Sequence, residues 1–375
     1  VNRTEAYLAL NLLPKIGPIR VRRLIETFEA PENILCASTN ELLSVQGIGR
    51  DMADTIRNWE SLVDLPEELR RIDQHGVELL TIEDDRYPAA LREIHDPPHL
   101  LYMRGTLLPR DRQAIAVVGS RRVTHYGRET ARRLSFQLAH AGVTVISGLA
   151  RGIDTAAHEA ALAAEGRTIA VLGSGIGNIY PPENAALAGR IASSGAVLSE
   201  FPVLYVPDRQ SFPLRNRIVS GMSQGILVVE APARSGSLIT ANQAMEQGRT
   251  VYAVPGPIDR PNSEGCNRLI QDGAKLVIDS RDVLEEMETL FTLDAPAPRT
   301  GPKSAEAPMK STPALDSLDP AERAILAALG DGETAIDDLI EEVHLPVSTV
   351  SSTLLRLEMK RLVKALPGKY FVKLI

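Results

Sequence analysis

Cysteine is nearly absent from this chain: Cys36 and Cys266 are its only two. That excludes a disulfide framework and fits a reducing cytosol. Long apolar runs are missing too. No stretch of about 18 apolar residues occurs, so no transmembrane helix is expected. The opening Val1-Asn-Arg-Thr-Glu5 lacks the charged-then-apolar order of a secretory signal. The seven histidines are scattered, and no Cys/His grouping has metal-ligand spacing. Lysine is absent from residues 113–249, which removes a Walker-type phosphate loop from that region.

What is present is unevenly placed. Hydrophobic residues make up 44% of the 375, enough for two or three domains with real cores. The formal net charge of −7 argues against a nucleic-acid partner if taken alone. Within residues 113–249, however, thirteen Arg stand against seven Glu and two Asp, a local net charge of +4. Arginine matches phosphate geometry better than lysine does. A genome-wide preference for Arg over Lys gives the same count, so the weight falls on where these arginines sit.

Five apolar residues, Ala114-Ile-Ala-Val-Val118, read as a buried strand. Gly119-Ser120 breaks the run and delivers Arg121 and Arg122, and a helical pattern begins near Tyr126. A strand ending in a glycine turn with a helix behind it is where α/β proteins hold anions. The same residues also suit a plain βα turn with two solvated arginines.

The alternation continues. Strands are expected at 115–118, 143–146, 168–172, 196–198, 226–229, 250–253 and 275–278, with amphipathic stretches between most of them. That order predicts an α/β fold with a doubly wound, mostly parallel, Rossmann-like sheet. The loops after these strands share the carboxyl edge and are rich in Gly, Ser and Arg. They include Ser147-Gly-Leu-Ala-Arg151, Gly173-Ser-Gly-Ile-Gly177 and Arg234-Ser-Gly-Ser237. Asp154 and Ser237 sit where helix N-caps belong.

Residues 1–64 read as a helical domain. Two stretches repeat helix, glycine turn, helix: one around Lys15-Ile-Gly-Pro18, the other around Gly47-Ile48-Gly49. They resemble paired helix-hairpin-helix motifs, whose hairpin amides grip phosphate. Pro18 removes one such donor. A helical domain that merely packs on its neighbour explains the pattern as well. Residues 65–112 read as an extension joined to the main sheet, which runs to 290. Residues 291–317 are proline-rich and read as a linker. Residues 318–375 read as a winged helix. Its second helix carries Asp337, Asp338, Glu341 and Glu342, which favours protein contact over operator binding.

Catalytic readings are weaker. Gly173-x-Gly175-x-Gly177 lacks a third glycine of the dinucleotide fingerprint, because Asn178 stands there. Ser147, Asp154 and His158 lie close in sequence, but Ser147 is not in a Gly-x-Ser-x-Gly elbow. No cofactor and no metal are expected.

Taken together, the loops resemble those of the DprA (Smf) family of DNA-processing proteins. The matching stretches are Val117-Val-Gly-Ser-Arg121, Ser147 to His158, Ile179-Tyr-Pro181, Ser199-Glu-Phe-Pro202, Phe212-Pro-Leu-Arg-Asn-Arg-Ile218, Ser235-Gly-Ser-Leu-Ile-Thr240 and Val254-Pro-Gly256. The resemblance covers about 66–290 and implies a cytoplasmic, non-enzymatic recombination mediator of natural transformation. Such a protein binds single-stranded DNA and protects it, works as a homodimer and loads RecA onto DNA coated by single-strand-binding protein. Duplex binding is expected to be weaker. The resemblance implies contacts from Gly119, Ser120, Arg121, Arg215, Asn216, Arg217, Ser235, Gly236, Ser237 and Leu238. Arg122, Arg151, Tyr180 and Phe212 are added as further cations and stacking faces, and Gly47, Ile48 and Gly49 as candidate phosphate contacts. Family members carry a lysine after Tyr-Pro; here it is Pro182. The alternatives are a Rossmann-fold nucleotide-binding enzyme, such as a nucleoside monophosphate hydrolase, and a regulator led by the winged helix.

Overall fold

The computed structural model describes residues 1–290 and, with interruptions, 319–373. The chain divides into two units, the first ending at Pro296. The first unit is built on one nine-stranded sheet. Its strands are β1 (Glu78–Thr81), β2 (Leu100–Gly105), β3 (Ala114–Val118), β4 (Thr144–Ser147), β5 (Thr168–Leu172), β6 (Ala196–Ser199), β7 (Gly225–Val228), β8 (Thr250–Ala253) and β9 (Lys275–Leu276). They lie in the order β1-β2-β6-β5-β4-β3-β7-β8-β9. From β6 to β9 every neighbouring pair is parallel; β2 joins β6, and β1 joins β2, antiparallel. The extension expected at 65–112 therefore does continue the main sheet.

All five residues of β3 are buried, as a strand covered on both faces requires. Alternate side chains serve different layers. Ile115 and Val117 share one core with Leu134, Leu138 and Ala157, while Ala114, Ala116 and Val118 share another with Ile218 and Ala241. Thr124 caps the helix His125–His140, its hydroxyl accepting from Gly127 N at 3.1 Å.

The caps expected at Asp154 and Ser237 are each displaced by two residues. The helix Ile153–Ala163 is capped by Gly152 at φ +84°, where a Cβ would lie 2.2 Å from the Ser120 carbonyl oxygen. Only glycine fits that approach. Ser235 caps the helix Gly236–Glu246, its hydroxyl accepting from Ser237 N.

The N-terminal helices share a core with one part of the sheet, through Leu8, Leu10, Leu24 and Ile72 on one side and Tyr102, Leu172 and Val197 on the other. Polar links reinforce the seam. Arg3 and Tyr7 bond Glu83, and the Glu68 carboxylate accepts from Val203 N at 2.7 Å.

In the second unit the helices Pro320–Ala328 and Ile336–Val343 precede an antiparallel hairpin of β11 (Val363–Leu366) and β12 (Tyr370–Lys373), with β10 (Thr334–Ala335) added to β12. This matches the expected winged-helix order. The linker expected at 291–317, and much of the stretch 344–361 within the expected winged helix, lie outside the described residues. Among the described residues no helix is long and apolar enough to cross a membrane.

Candidate nucleic-acid interface

The strand order reverses at β3, which has β4 on one side and β7 on the other. The loops leaving β3 and β7 diverge there and open a crevice at the carboxyl edge, the usual ligand position in such sheets. Ser120 N donates to the Glu230 carbonyl oxygen at 2.7 Å and ties the two loops together. The crevice measures about 540 Å³.

Its walls come from four segments that follow strands, loops and helix starts alike, and bring distant residues together: Gly119, Ser120, Arg121 and Arg122 after β3; Gly148 and Ala150 after β4; Arg209, Phe212, Arg215 and Asn216 after β6; and Arg234, Ser235, Gly236 and Ser237 after β7. Five arginines against Asp154 give this lining a net charge of +4, in a chain whose total is −7.

The arginines are not equivalent. Arg121, Arg122, Arg209 and Arg234 are exposed, and none has a salt bridge among the described residues. The Arg121 guanidinium lies over the Phe212 ring. Arg215 is buried, and its Nη1 donates to the carbonyl oxygens of Gly148 and Val171, each at 2.5 Å. Burial pushes its pKa down to about 10, so it stays cationic at neutral pH as fixed charge beneath the crevice. A Cβ at Gly148 would lie 2.3 Å from that guanidinium, which explains the glycine. The Asp154 carboxylate faces it and accepts from Gly148 N (3.1 Å) and Ala150 N (3.3 Å); burial raises its pKa, and Arg215 opposes the rise. Asn216 accepts from Arg215 Nε at 3.1 Å.

The turn after β7 supplies donors. Ser235 and Ser237 hydroxyls lie 2.7 Å apart at the start of their helix, and a Cβ on Gly236 would meet nothing within 4 Å. A ligand can therefore approach these amides, where the helix dipole favours an anion. The Ser120 hydroxyl turns inward and bonds the Arg122 backbone, shaping its turn.

Five expected contacts lie away from this crevice. Arg217 is buried, hydrogen-bonded to Glu200 (2.5 Å) and ion-paired with Asp96 (3.2 Å). Leu238 packs on the core behind the turn. Gly47 lines a separate recess with Gly17, Pro18, Arg20 and Arg23; Ile48 is buried and Gly49 caps the helix Arg50–Arg57. Tyr180 and Arg151 occupy a side pocket beyond Phe212. Tyr180 is 5.8 Å from Phe212, and Arg151 is paired with Glu183 at 2.5 Å. Arg209 and Arg234 went unselected in the sequence. Each is a basic residue just ahead of a matching motif, which was the available signal.

The other chemistries find no geometry. Gly175 N and Gly177 N donate to the carbonyl oxygens of Tyr205 and Val203, so the glycine run holds its own chain. Ser147 donates to the Val117 carbonyl oxygen, His158 bonds Thr168, and Asp154 holds backbone amides; these three form no relay. Among the described residues no His/Cys/Asp/Glu group could hold a metal.

Residues 78–288 match the family model described as DNA recombination-mediator protein A, residues 309–369 the DprA winged helix domain, and residues 7–58 the SAM-like helix-hairpin-helix tandem. Protein Smf of Synechocystis sp. is 36% identical over 393 residues, covering 98% of each chain. The crystal structure of DNA processing protein A from Streptococcus pneumoniae is similar at a TM-score of 0.68 and 36% identity, over 76% of this chain and 98% of that one. The structure of DNA processing protein A from Helicobacter pylori, described for its unique single-stranded DNA binding mode, is similar at a TM-score of 0.52 and 28% identity, over 58% of this chain and 99% of that one. With the switch-point crevice and its arginine loops in place, these matches establish that the chain belongs to the DprA/Smf family of DNA-processing proteins.

Proposed function

We propose that this protein is a recombination mediator of natural transformation that binds single-stranded DNA in the crevice and does not cut it. It protects incoming DNA and loads RecA onto strands coated by single-strand-binding protein. One observation carries the reading: four exposed arginines, without salt bridges among the described residues, and an open helix start converge on the switch-point crevice, with Phe212 and Tyr180 beside them. Guanidinium forks hold phosphate oxygens, and rings accept bases that a single strand leaves free. Duplex DNA hides those bases, so it binds more weakly. The single-stranded DNA binding mode of the H. pylori protein supports the same ligand class. A homodimer is part of the proposal. β9 is an edge strand, and Leu276 in it and Ile278 just past it are exposed at 44% and 65%, a surface that calls for a cover.

The test is binding of single-stranded and duplex oligonucleotides by the full chain at two salt concentrations. Engagement of four phosphates gives a log–log salt slope of about −3 for the single strand. A protein that prefers duplex, or that hydrolyses nucleotides in a product assay, overturns the reading. RecA loading is read separately, as strand exchange on DNA pre-coated by single-strand-binding protein.

A further inference from the structure

Beside the arginine crevice lies a second cavity of about 710 Å³, with different walls. Tyr126, Pro255 and Pro257 line it, and Asn262 lines both cavities. The Tyr126 hydroxyl donates to the Pro255 carbonyl oxygen at 3.1 Å, which fixes the ring against the loop after β8. That loop is fixed in turn. Asn267 accepts from Gly256 N at 3.1 Å and donates to the Gly256 carbonyl oxygen at 2.9 Å. The cavity is therefore built before any ligand arrives.

Its charge does not favour phosphate as the crevice does. Glu230 lines it as a buried carboxylate that accepts from Thr124 and Asn262. Arg260 is the only permanent cation among its lining residues; it is largely exposed, with the Asp259 carboxylate 3.9 Å away. A flat, neutral heterocycle meets instead a tyrosine ring, two proline faces and an amide. Asn262 spends one N–H on Glu230 at 3.1 Å, which leaves its carbonyl oxygen and second N–H for a polar edge. The two adjoining cavities thus complement the two halves of a nucleotide.

We propose that this second cavity receives a nucleobase of the strand whose phosphates occupy the crevice, with Tyr126 as its stacking face and Asn262 at its edge. The proposal rests on the single-strand reading above. It is tested on the full chain with an oligodeoxythymidine and an abasic backbone of the same length. Tyr126→Ala is expected to weaken the thymidine strand about ten-fold and to leave the abasic strand unchanged. Tyr126→Phe, which keeps the ring, retains most of the affinity. Thymidine monophosphate competes only at far higher concentration than the strand. Tyr126→Ala matching the wild type on the thymidine strand, or losing both strands equally, overturns the base pocket alone. Equal competition by the mononucleotide overturns it in favour of a free-nucleotide site. A wild type that binds neither strand removes the single-strand reading and this inference with it.

Discussion

The Arg121 guanidinium lies over the Phe212 ring, its Cζ 4.8 Å from the ring centroid. The ring holds the cation at the crevice without neutralising it, because a π-face carries no formal charge. Arg121→Ala is expected to reduce the salt slope of single-strand binding by about 0.7, the share of one phosphate, with the melting temperature unchanged. Phe212→Leu keeps the charge but frees the guanidinium. It lowers affinity with less change in slope, and the double variant loses less than the sum of the two. Fluorescence anisotropy across a salt series measures all three. Additive losses would show that the ring does not position the arginine.

Arg217 gives the opposite result. It is enclosed with Glu200 and Asp96, and Glu200 is itself held away from water. Removing one partner of a buried pair leaves an uncompensated charge and costs about 3–5 kcal/mol. Arg217→Ala should therefore lower the denaturation midpoint, while the folded fraction binds DNA as before. Urea unfolding followed by a binding titration separates the two effects. Lost affinity at an unchanged midpoint would return Arg217 to the interface.

These contrasting arginines mark the limit of what residues 113–290 disclose. β3 was legible because five consecutive apolar residues ending at Gly119 suit a strand buried on both faces and little else. The carboxyl-edge loops followed from the strand alternation. Side-chain direction did not. Arg215 and Arg217 are two apart on one helix, roughly 200° around its axis, so one lies under the crevice and the other points to a different wall. Both are basic residues in one motif, and nothing local tells which faces the ligand. Asp154 was misplaced for a related reason. Its helix is capped by Gly152, whose left-handed φ answers to the approach of the Ser120 carbonyl, a contact between two separate loops of the carboxyl edge.

Two enclosed histidines set an acid limit. Burial pushes His99 down to about 4 and His158 to about 3, and Arg215 adds repulsion at His158. The Thr168 hydroxyl donates to the Val145 carbonyl oxygen at 2.7 Å, so it accepts from His158 Nδ1–H, and the ring is neutral. A lowered folded pKa means that the unfolded chain takes up the proton first. Stability is thus complete above the ordinary histidine value near 6.5. It falls by about 1.4 kcal/mol per pH unit per histidine below that, until each folded pKa is reached. Urea midpoints at pH 7.5, 6.0 and 5.0 should decline along this course. His158→Gln should decline less steeply; an equal slope would remove His158 from the account.

Arg151 stands beside the position where family relatives carry a lysine and this chain has Pro182. Its Nε is held by the Glu183 carboxylate, and both side chains are about half exposed. An exposed pair of this kind is held loosely. A phosphate oxygen offers the same guanidinium an equivalent partner, so Glu183 and the strand compete for one cation. Glu183→Gln removes the competing charge while keeping an amide oxygen in place. It is expected to tighten single-strand binding by a factor of a few and to steepen the salt slope by about 0.7, one further phosphate. Arg151→Ala in the same background should abolish the gain. Pro182→Lys supplies a second cation at that point and should tighten binding independently of Glu183. A Glu183→Gln variant that binds no better than wild type at low salt would mean that the strand does not pass Arg151, and that its path ends at Phe212.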